Sequence, residues 1–361
     1  MKKIKILVFN EDDILKKMIK TFSNEIECEI IYDSYYEKIS NSNEKLVLAF
    51  STDSIGSNNN LMKFIKELKD NNVFFNNSYG ALLVNSESDL YSKTLSQQVV
   101  FLMNQIGLAF IGQPMIETIK DYLNYETWQK VYTDKTLEEI CEIQISNLAK
   151  RFYNFKKNIV KNPKILVLHA SSHHTSNTLM LWNMVKEHLE GSTINEIEIE
   201  DGQITDCNGC PFEMCLHFAE KNSCYYGGVI LENILPAIEE SDYIVWICPN
   251  YNDSISAKLM AVINRMTVLY RRMSLHEKTI FSVIISGNSG SDSVAKQLIS
   301  GLNLNKGMIL APAFAIMEIA NDSGKIVEVK GIEERAANFA NRIKKYWGEY
   351  ERGKILYETW K

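Results

Sequence analysis

From residue 3 the chain alternates short apolar, β-branched runs with amphipathic stretches: IKILVFN, DILKKMIKTF, CEIIY, LVLAF, LMKFIKELK, YGALLVN, QVVFLMNQI and LAFIGQP. The same rhythm restarts at residue 164 with KILVLHA, LMLWNMVKEHL, INEIEIE, ILPAIEE, YIVWICPN, AKLMAVINRMTVLY, TIFSVIISG, VAKQLISGL and MILAPAFAI. Strands alternating with helical stretches predict βαβ units and a parallel sheet covered by helices on both faces. The repeat predicts a duplicated α/β domain, each copy a doubly wound sheet of five parallel strands.

Between the halves, Thr136 with Glu139 three residues on predicts a capping box opening a helix. Cys141, Ile145, Leu148, Phe152, Phe155 and Ile159 then form one apolar stripe suited to packing between domains, and Asn162-Pro163 ends it. Ile332, Ala336, Phe339, Ala340, Ile343 and Trp347 mark a C-terminal helix, whose aromatic tail ILYETWK docks either on a partner subunit or on its own domain. The predicted division is a first domain over 1–125, a linker helix over 126–162, a second domain over 163–330, and a C-terminal helix and tail over 331–361.

Composition narrows the function. A chain of 361 residues, 45% hydrophobic and 23% charged, reads as a soluble protein able to bury two cores. No apolar run approaches the roughly 18 residues of a membrane span. The start, MKKIKILVFNEDD, runs straight into acids and is unlike a secretory signal. The net charge of −6 argues against nucleic acid as a partner. Seven cysteines, an odd number, point to reduced thiols and a cytoplasmic protein.

The second half carries the candidate chemistry. KILVLHA leads through SSHHTSNT, Ser171 to Thr178, straight into a helix. Free backbone N–H groups, the helix dipole and hydroxyl donors favour an anion there, although such a turn also serves simply as a helix cap. Without a Lys or Walker-type glycines, a phosphomonoester such as that of FMN fits better than a nucleoside triphosphate. A second polar loop, ICPNYNDSISAKLM, follows the third strand of this half. In a sheet of flavodoxin order the ligand crevice opens where the first and third strands end, so both loops address one site.

Here the sequence resembles the NADPH-dependent FMN reductase family and its iron–sulfur flavoprotein relatives, which are flavodoxin-like. The family's G-S-P-R-x-x-G-N-T loop is matched by Ser171, Asn177 and Thr178, with His173 where an Arg is usual. Its P-x-Y-x-x-x-V-S-A-x-L-K segment is matched by Pro249, Tyr251, Ser256, Ala257 and Leu259, and the resemblance spans roughly residues 163 to 325. It implies a flavodoxin-like fold in which Ser171, His173, Ser176, Asn177 and Thr178 hold the FMN phosphate. Pro249, Asn250, Tyr251, Asn252, Asp253 and Ser254 then run along the isoalloxazine. Gly287 and Asn288, after the fourth strand, border the ring on its other side. No G-x-G-x-x-G follows a strand, so NAD(P)H visits the flavin without a Rossmann site of its own.

The first half does not repeat this site, because the carboxylates in Asn10-Glu11-Asp12-Asp13 would repel a phosphate. The stretch STDSIGSNNN, residues 51 to 60, reads as a solvated loop. Residues 1–125 are therefore a degenerate copy, structural or regulatory.

Residues 207 to 224, CNGCPFEMCLHFAEKNSC, hold Cys207, Cys210, Cys215 and Cys224. The resembled iron–sulfur flavoproteins carry a compact C-x2-C-x2-C with a fourth cysteine beyond; here two gaps are stretched. Candidates are a [4Fe–4S] cluster, a zinc site that includes His217, a redox thiol, and cysteines that merely line a pocket on the flavin side. Cys28, Cys141 and Cys248 read as small buried hydrophobes.

The sequence thus predicts a cytoplasmic, FMN-dependent NAD(P)H oxidoreductase passing electrons to a small-molecule or protein acceptor. Tyr251, Asn252 and Asp253 contact ring and substrate, and the resembled family implies a dimer or tetramer. The rivals are an iron–sulfur electron carrier without NAD(P)H activity and a non-catalytic flavin-binding regulator.

Overall fold

The computed structural model describes residues 3–32, 39–40, 42–157, 159–171, 175–199 and 204–347. The tail ILYETWK lies outside them. The chain divides into two compact units, with the boundary along the sequence between Lys157 and residue 158.

Unit 1 runs β1 (Ile4–Phe9), α1 (Asp13–Glu25), β2 (Cys28–Tyr32), β3 (Lys45–Thr52), α2 (Asn59–Asp70), β4 (Tyr79–Ser86), α3 (Ser92–Gln105), β5 (Ala109–Ile119) and α4 (Leu137–Asn154). Its strands pair in parallel in the order β2-β1-β3-β4-β5. Every residue of β4, and all but the first of β3, is buried, as helices on both faces require. Asp12 opens α1 by accepting the Leu15 N–H at 2.8 Å, and Asn58 opens α2 by accepting that of Leu61 at 2.9 Å.

The predicted linker helix is part of this unit. The capping box forms as read, with Thr136 Oγ1 accepting the Glu139 N–H at 3.2 Å and Glu139 Oε2 accepting the Thr136 N–H at 2.8 Å. However, Ile140, Cys141, Ile145, Leu148, Ala149 and Phe152 enter the same core as Ile4, Ile6, Val8, Leu15 and Phe22. The physical reason is coverage: α1 packs against β3 and β4, and the stripe of α4 lies beside α1 and covers β5 on the same face. Arg151 fixes the placement by donating to the carbonyls of Gly112 and Gln113. Those carbonyls lie where the β4–β5 register shifts and Gln113 takes φ +46° just before Pro114.

Unit 2 repeats the plan: β6 (Lys164–His169), α5 (Asn177–Lys186), β7 (Thr193–Glu198), α6 (Phe212–Glu220), α7 (Leu235–Glu240), β8 (Tyr243–Pro249), α8 (Ala257–Arg265), α9 (Thr267–Arg272), β9 (Thr279–Ser286), α10 (Ser291–Leu298), β10 (Ile309–Ile319) and α11 (Ile332–Trp347). The strand order is β7-β6-β8-β9-β10, all parallel. This is the flavodoxin order expected for the second half. Its fifth strand is also interrupted, with Ala313 at φ +44° after Pro312. Helix α11, predicted as a separate C-terminal element, belongs to this unit as α4 belongs to unit 1. Ile332, Ala336, Phe339, Ala340 and Ile343 are buried, and Arg335 pairs with Glu318 of β10. Among the described residues no helix is long and apolar enough to cross a membrane.

Candidate functional site

In unit 2 the chain leaves β6 toward β7 on one side of the sheet and then crosses to β8 on the other. The carboxyl ends of β6 and β8 therefore flank the switch point at which doubly wound sheets bind ligands. Four loops gather along this edge, after β6, β8, β9 and β10.

The loop after β6 ends at Ser176, which takes the N-cap position of α5 without a side-chain cap bond. Its hydroxyl instead pairs with Thr178 Oγ1 at 2.9 Å. The first-turn amides of α5 are thus not capped by Ser176, which suits an anion. At the base of the loop, His169 Nδ1 lies 3.1 Å from the Ser171 carbonyl oxygen, and Ser171 is half-buried. His173 lies outside the described residues.

Two side chains of this loop are already engaged within the chain. Asn177, expected on the phosphate, donates through Nδ2 to the carbonyls of Ala320 at 3.0 Å and Asp322 at 2.8 Å, which leaves its backbone N–H at the start of α5. Its Oδ1 accepts the Ile326 N–H at 3.1 Å, so the whole amide is spent bracing α5 against the chain after β10. Thr178 is 1% exposed and its hydroxyl is turned to Ser176, so it supports the turn rather than offering a free donor.

The loop after β8 forms a tight turn. Tyr251 and Ser254 exchange backbone bonds of 3.2 and 3.1 Å, with Asn252 at φ +52° and Asp253 at φ +57° between them. Asn and Asp tolerate the left-handed region that two such central residues demand. Residues 251 to 254 are exposed, Tyr251 by 56%. Below the turn, Asn250 Nδ2 faces Asp253 Oδ1 at 3.2 Å, Ser286 Oγ at 3.0 Å and the Ser289 carbonyl at 3.0 Å. Ser286 and Ser291 share a 2.7 Å hydroxyl contact that continues this brace.

Glycines let the loops close on one another. A Cβ on Gly290, at φ +86°, would sit 1.8 Å from Asp253 Oδ1, and one on Gly287 would sit 2.9 Å from Asn321 Oδ1. The loop after β9 thus bridges those after β8 and β10. Asn288 accepts the Ser289 N–H at 2.6 Å and is exposed.

Sequence reading missed Gln297, whose side chain reaches from α10 to this turn. Its Nε2 donates to the Asp253 carbonyl at 3.0 Å and its Oε1 accepts the Ile255 N–H at 3.1 Å. No spacing rule flags a glutamine 44 positions beyond its partner.

One atom bears directly on a flavin. Asn250 Oδ1 is buried and has no hydrogen-bond partner among the described residues. An unpaired buried acceptor is costly, and the edge of an isoalloxazine presents an N–H between two carbonyls, a donor of the right kind. The residues present therefore fit FMN: for the phosphate, first-turn amides of α5 that Ser176 does not cap, and for the ring, the Asn250 loop.

The cysteines do not assemble. Among the described residues no three of His, Cys, Asp and Glu come together to hold a metal ion. The reason is local: Cys215 lies within α6, while the residues separating it from Cys224 are taken up by the rest of that helix and its closing turn. Cys207 is exposed, and Cys210, Cys215 and Cys224 are half-buried. The segment is anchored on the helices beyond the ring loop. Arg265 donates to the carbonyls of Thr205 at 3.3 Å and Gly227 at 2.7 Å, Asn264 donates to Asp206 at 3.0 Å, and Arg271 stacks over Phe212 at 4.4 Å. Cys141 and Cys248 are buried as expected, and burial pushes both thiols up to about 12; Cys28 is half-buried and pushed up to about 11.

In unit 1 the corresponding edge is closed by its own polar groups. Asp12 Oδ2 accepts from Asn85 at 2.8 Å, and Asn58 Nδ2 ties the carbonyls of Phe9 at 3.3 Å and Ser51 at 2.8 Å. Asp53 folds STDSIGSNNN on itself by accepting the N–H groups of Ile55 at 3.1 Å and Ser57 at 2.7 Å. A carboxylate already holds the N-terminus of α1.

Residues 163–322 match the model of the NADPH-dependent FMN reductase family. Among solved structures, an azoreductase from Bacillus anthracis str. Sterne is 18% identical, with 50% of this chain and 99% of that one covered at a TM-score of 0.38. An NAD(P)H:quinone oxidoreductase from Methanothermobacter marburgensis is 15% identical, with 50% and 99% covered at 0.37. The search of curated proteins found no match.

Proposed function

Starting from residues 163–322 as an NADPH-dependent FMN reductase segment, we propose that unit 2 binds FMN at the carboxyl edge of β6 and β8 and works as an NAD(P)H-dependent oxidoreductase. The observation that carries this reading is that the matched segment includes both polar loops flanking the switch point. Bound FMN supplies two-electron transfer from a nicotinamide to an acceptor.

The chain's own residues bind and orient. The first turn of α5 offers backbone N–H groups and a dipole to a dianionic phosphate without a lysine. Asn250 would offer its buried Oδ1 to a ring N–H, and the turn Tyr251–Ser254 would run along the ring's edge; the unpaired Oδ1 and the tight turn support this reading. The exposed Tyr251 ring leaves that face accessible to a visiting nicotinamide or a flat acceptor. No side chain need move a proton, so specificity rests on how rigidly these loops are held.

The test is a titration of the purified chain with FMN, followed by flavin fluorescence quenching, and then anaerobic addition of NADPH and of NADH. One FMN per chain and bleaching of its visible band by a nicotinamide are expected. Absence of quenching would remove the flavin. Quenching without bleaching by either nucleotide would remove the NAD(P)H activity.

A further inference from the structure

Besides Gln297, the turn after β8 is held by Asn250 from below and by the close approach of Gly290. Both of those hold the side chain of Asp253. Gln297 instead grips the backbone on both sides of Ser254, taking the Asp253 carbonyl at 3.0 Å and the Ile255 N–H at 3.1 Å with one planar amide. A carboxamide offers a donor and an acceptor side by side, the pair that these two backbone groups present.

The geometry points to Gln297 as the positioning residue of the ring loop: an amide clamp on α10 that holds the left-handed turn Tyr251–Ser254 in one register, and so sets FMN affinity and midpoint potential without touching the flavin. This rests on the flavin reading above. Two consecutive non-glycine residues at φ +52° and +57° persist only where the surroundings over-determine them. In the proposed site the backbone groups of that turn would border the ring beside Asn250, so a change in their orientation alters how the reduced and oxidised ring are stabilised. Gln297 is half-buried and is not one of the residues Val294, Ala295 and Leu298 that form the buried face of its helix, so its replacement leaves that face intact.

Two variants separate clamp from packing. Gln297→Leu removes donor and acceptor at similar size. Gln297→Glu keeps the acceptor for the Ile255 N–H and sets a carboxylate against the Asp253 carbonyl. Hydrogen exchange on the flavin-free full-length chain reads the clamp directly: the Ile255 amide is expected to lose protection in Gln297→Leu and keep it in Gln297→Glu. With FMN, Gln297→Leu is expected to bind roughly tenfold more weakly, the order of one lost net interaction, with a shifted midpoint potential and an unchanged thermal midpoint. Gln297→Glu should fall between it and the wild type.

Unchanged Ile255 protection in Gln297→Leu overturns the clamp. Lost protection with wild-type affinity and potential overturns the positioning role. A wild-type chain that binds no FMN sinks the flavin reading and the ring-positioning role with it, while the exchange result still decides whether the clamp exists.

Discussion

Gly290 shows how little freedom the candidate site has at single residues. A side chain there meets Asp253 Oδ1 at 1.8 Å in a backbone conformation, φ +86°, that already disfavours L residues. Gly191, at φ +84°, has nothing within 4 Å of its Cβ position. Gly191→Ala should therefore cost only the backbone strain, about 1–2 kcal/mol, whereas Gly290→Ala should cost that plus displacement of the Asp253 turn, about 1–3 kcal/mol more. Urea denaturation of both variants measures the difference, and equal losses would show that the turn yields freely. The thiols give a second prediction at this scale. Burial holds Cys141 and Cys248 up at about 12, so an alkylating reagent at pH 8 should modify Cys207, Cys210, Cys215 and Cys224 and spare those two in the native chain. Peptide mass mapping checks this, and early modification of Cys248 would contradict its place in the core of β8. Protection of the four clustered cysteines until a chelator is added would instead show that they hold a metal.

At the scale of elements, helix ends and strand interruptions do the positioning. Lys45, the first residue of β3, donates to the carbonyls of Phe152 at 2.7 Å, Tyr153 at 2.8 Å and Phe155 at 3.0 Å, closing the C-terminus of α4 with a positive charge. Lys278, just before β9, does the same for α7 through the carbonyls of Glu239 and Ser241. Burial lowers the Lys45 ammonium to about 8 from 10.5. A depressed lysine opposes folding in its charged form, so that cost is fully present below pH 8 and fades as pH rises toward 10.5. The stability of the wild type relative to Lys45→Met should therefore rise across pH 8 to 10.5 in parallel denaturation series. A flat difference would mean that the three carbonyls hold the ammonium at its ordinary value. The apolar stripe of α4 and its capping box were legible in the sequence, but their partner was not. Periodicity shows that a helix has a face to bury, whereas the face that receives it depends on which part of the sheet the other helices leave bare. The strand breaks at Gln113-Pro114 and Pro312-Ala313 were hidden for a similar reason. A proline ends a strand unless a bulge places it where no ladder donor is needed, as happens in β5 and β10.

For the molecule as a whole, every residue of the candidate site comes from unit 2, and unit 1 closes its own equivalent edge with Asp12, Asn58 and Asn85. A fragment of residues 158–361 should accordingly bind FMN with the affinity of the intact chain, measured by the same quenching titration. An affinity lower by tenfold or more would assign unit 1 a part in the site. The alternation of strands and helices, the restart at residue 164 and the two polar loops after β6 and β8 were written in the sequence, because hydrophobic period and turn chemistry are local properties. Tertiary structure alone decided the rest. It made the side chain of Asn177 a brace, because the carbonyls of Ala320 and Asp322 arrive beside it from more than 140 residues away. It put a helix between Cys215 and Cys224, and among the described residues no three of the clustered cysteines come together as metal ligands. It also brought Gln297 to the Asp253 turn. Spacing along a chain tells which groups are available, but hydrogen bonds are satisfied in space by whichever partner the fold delivers first.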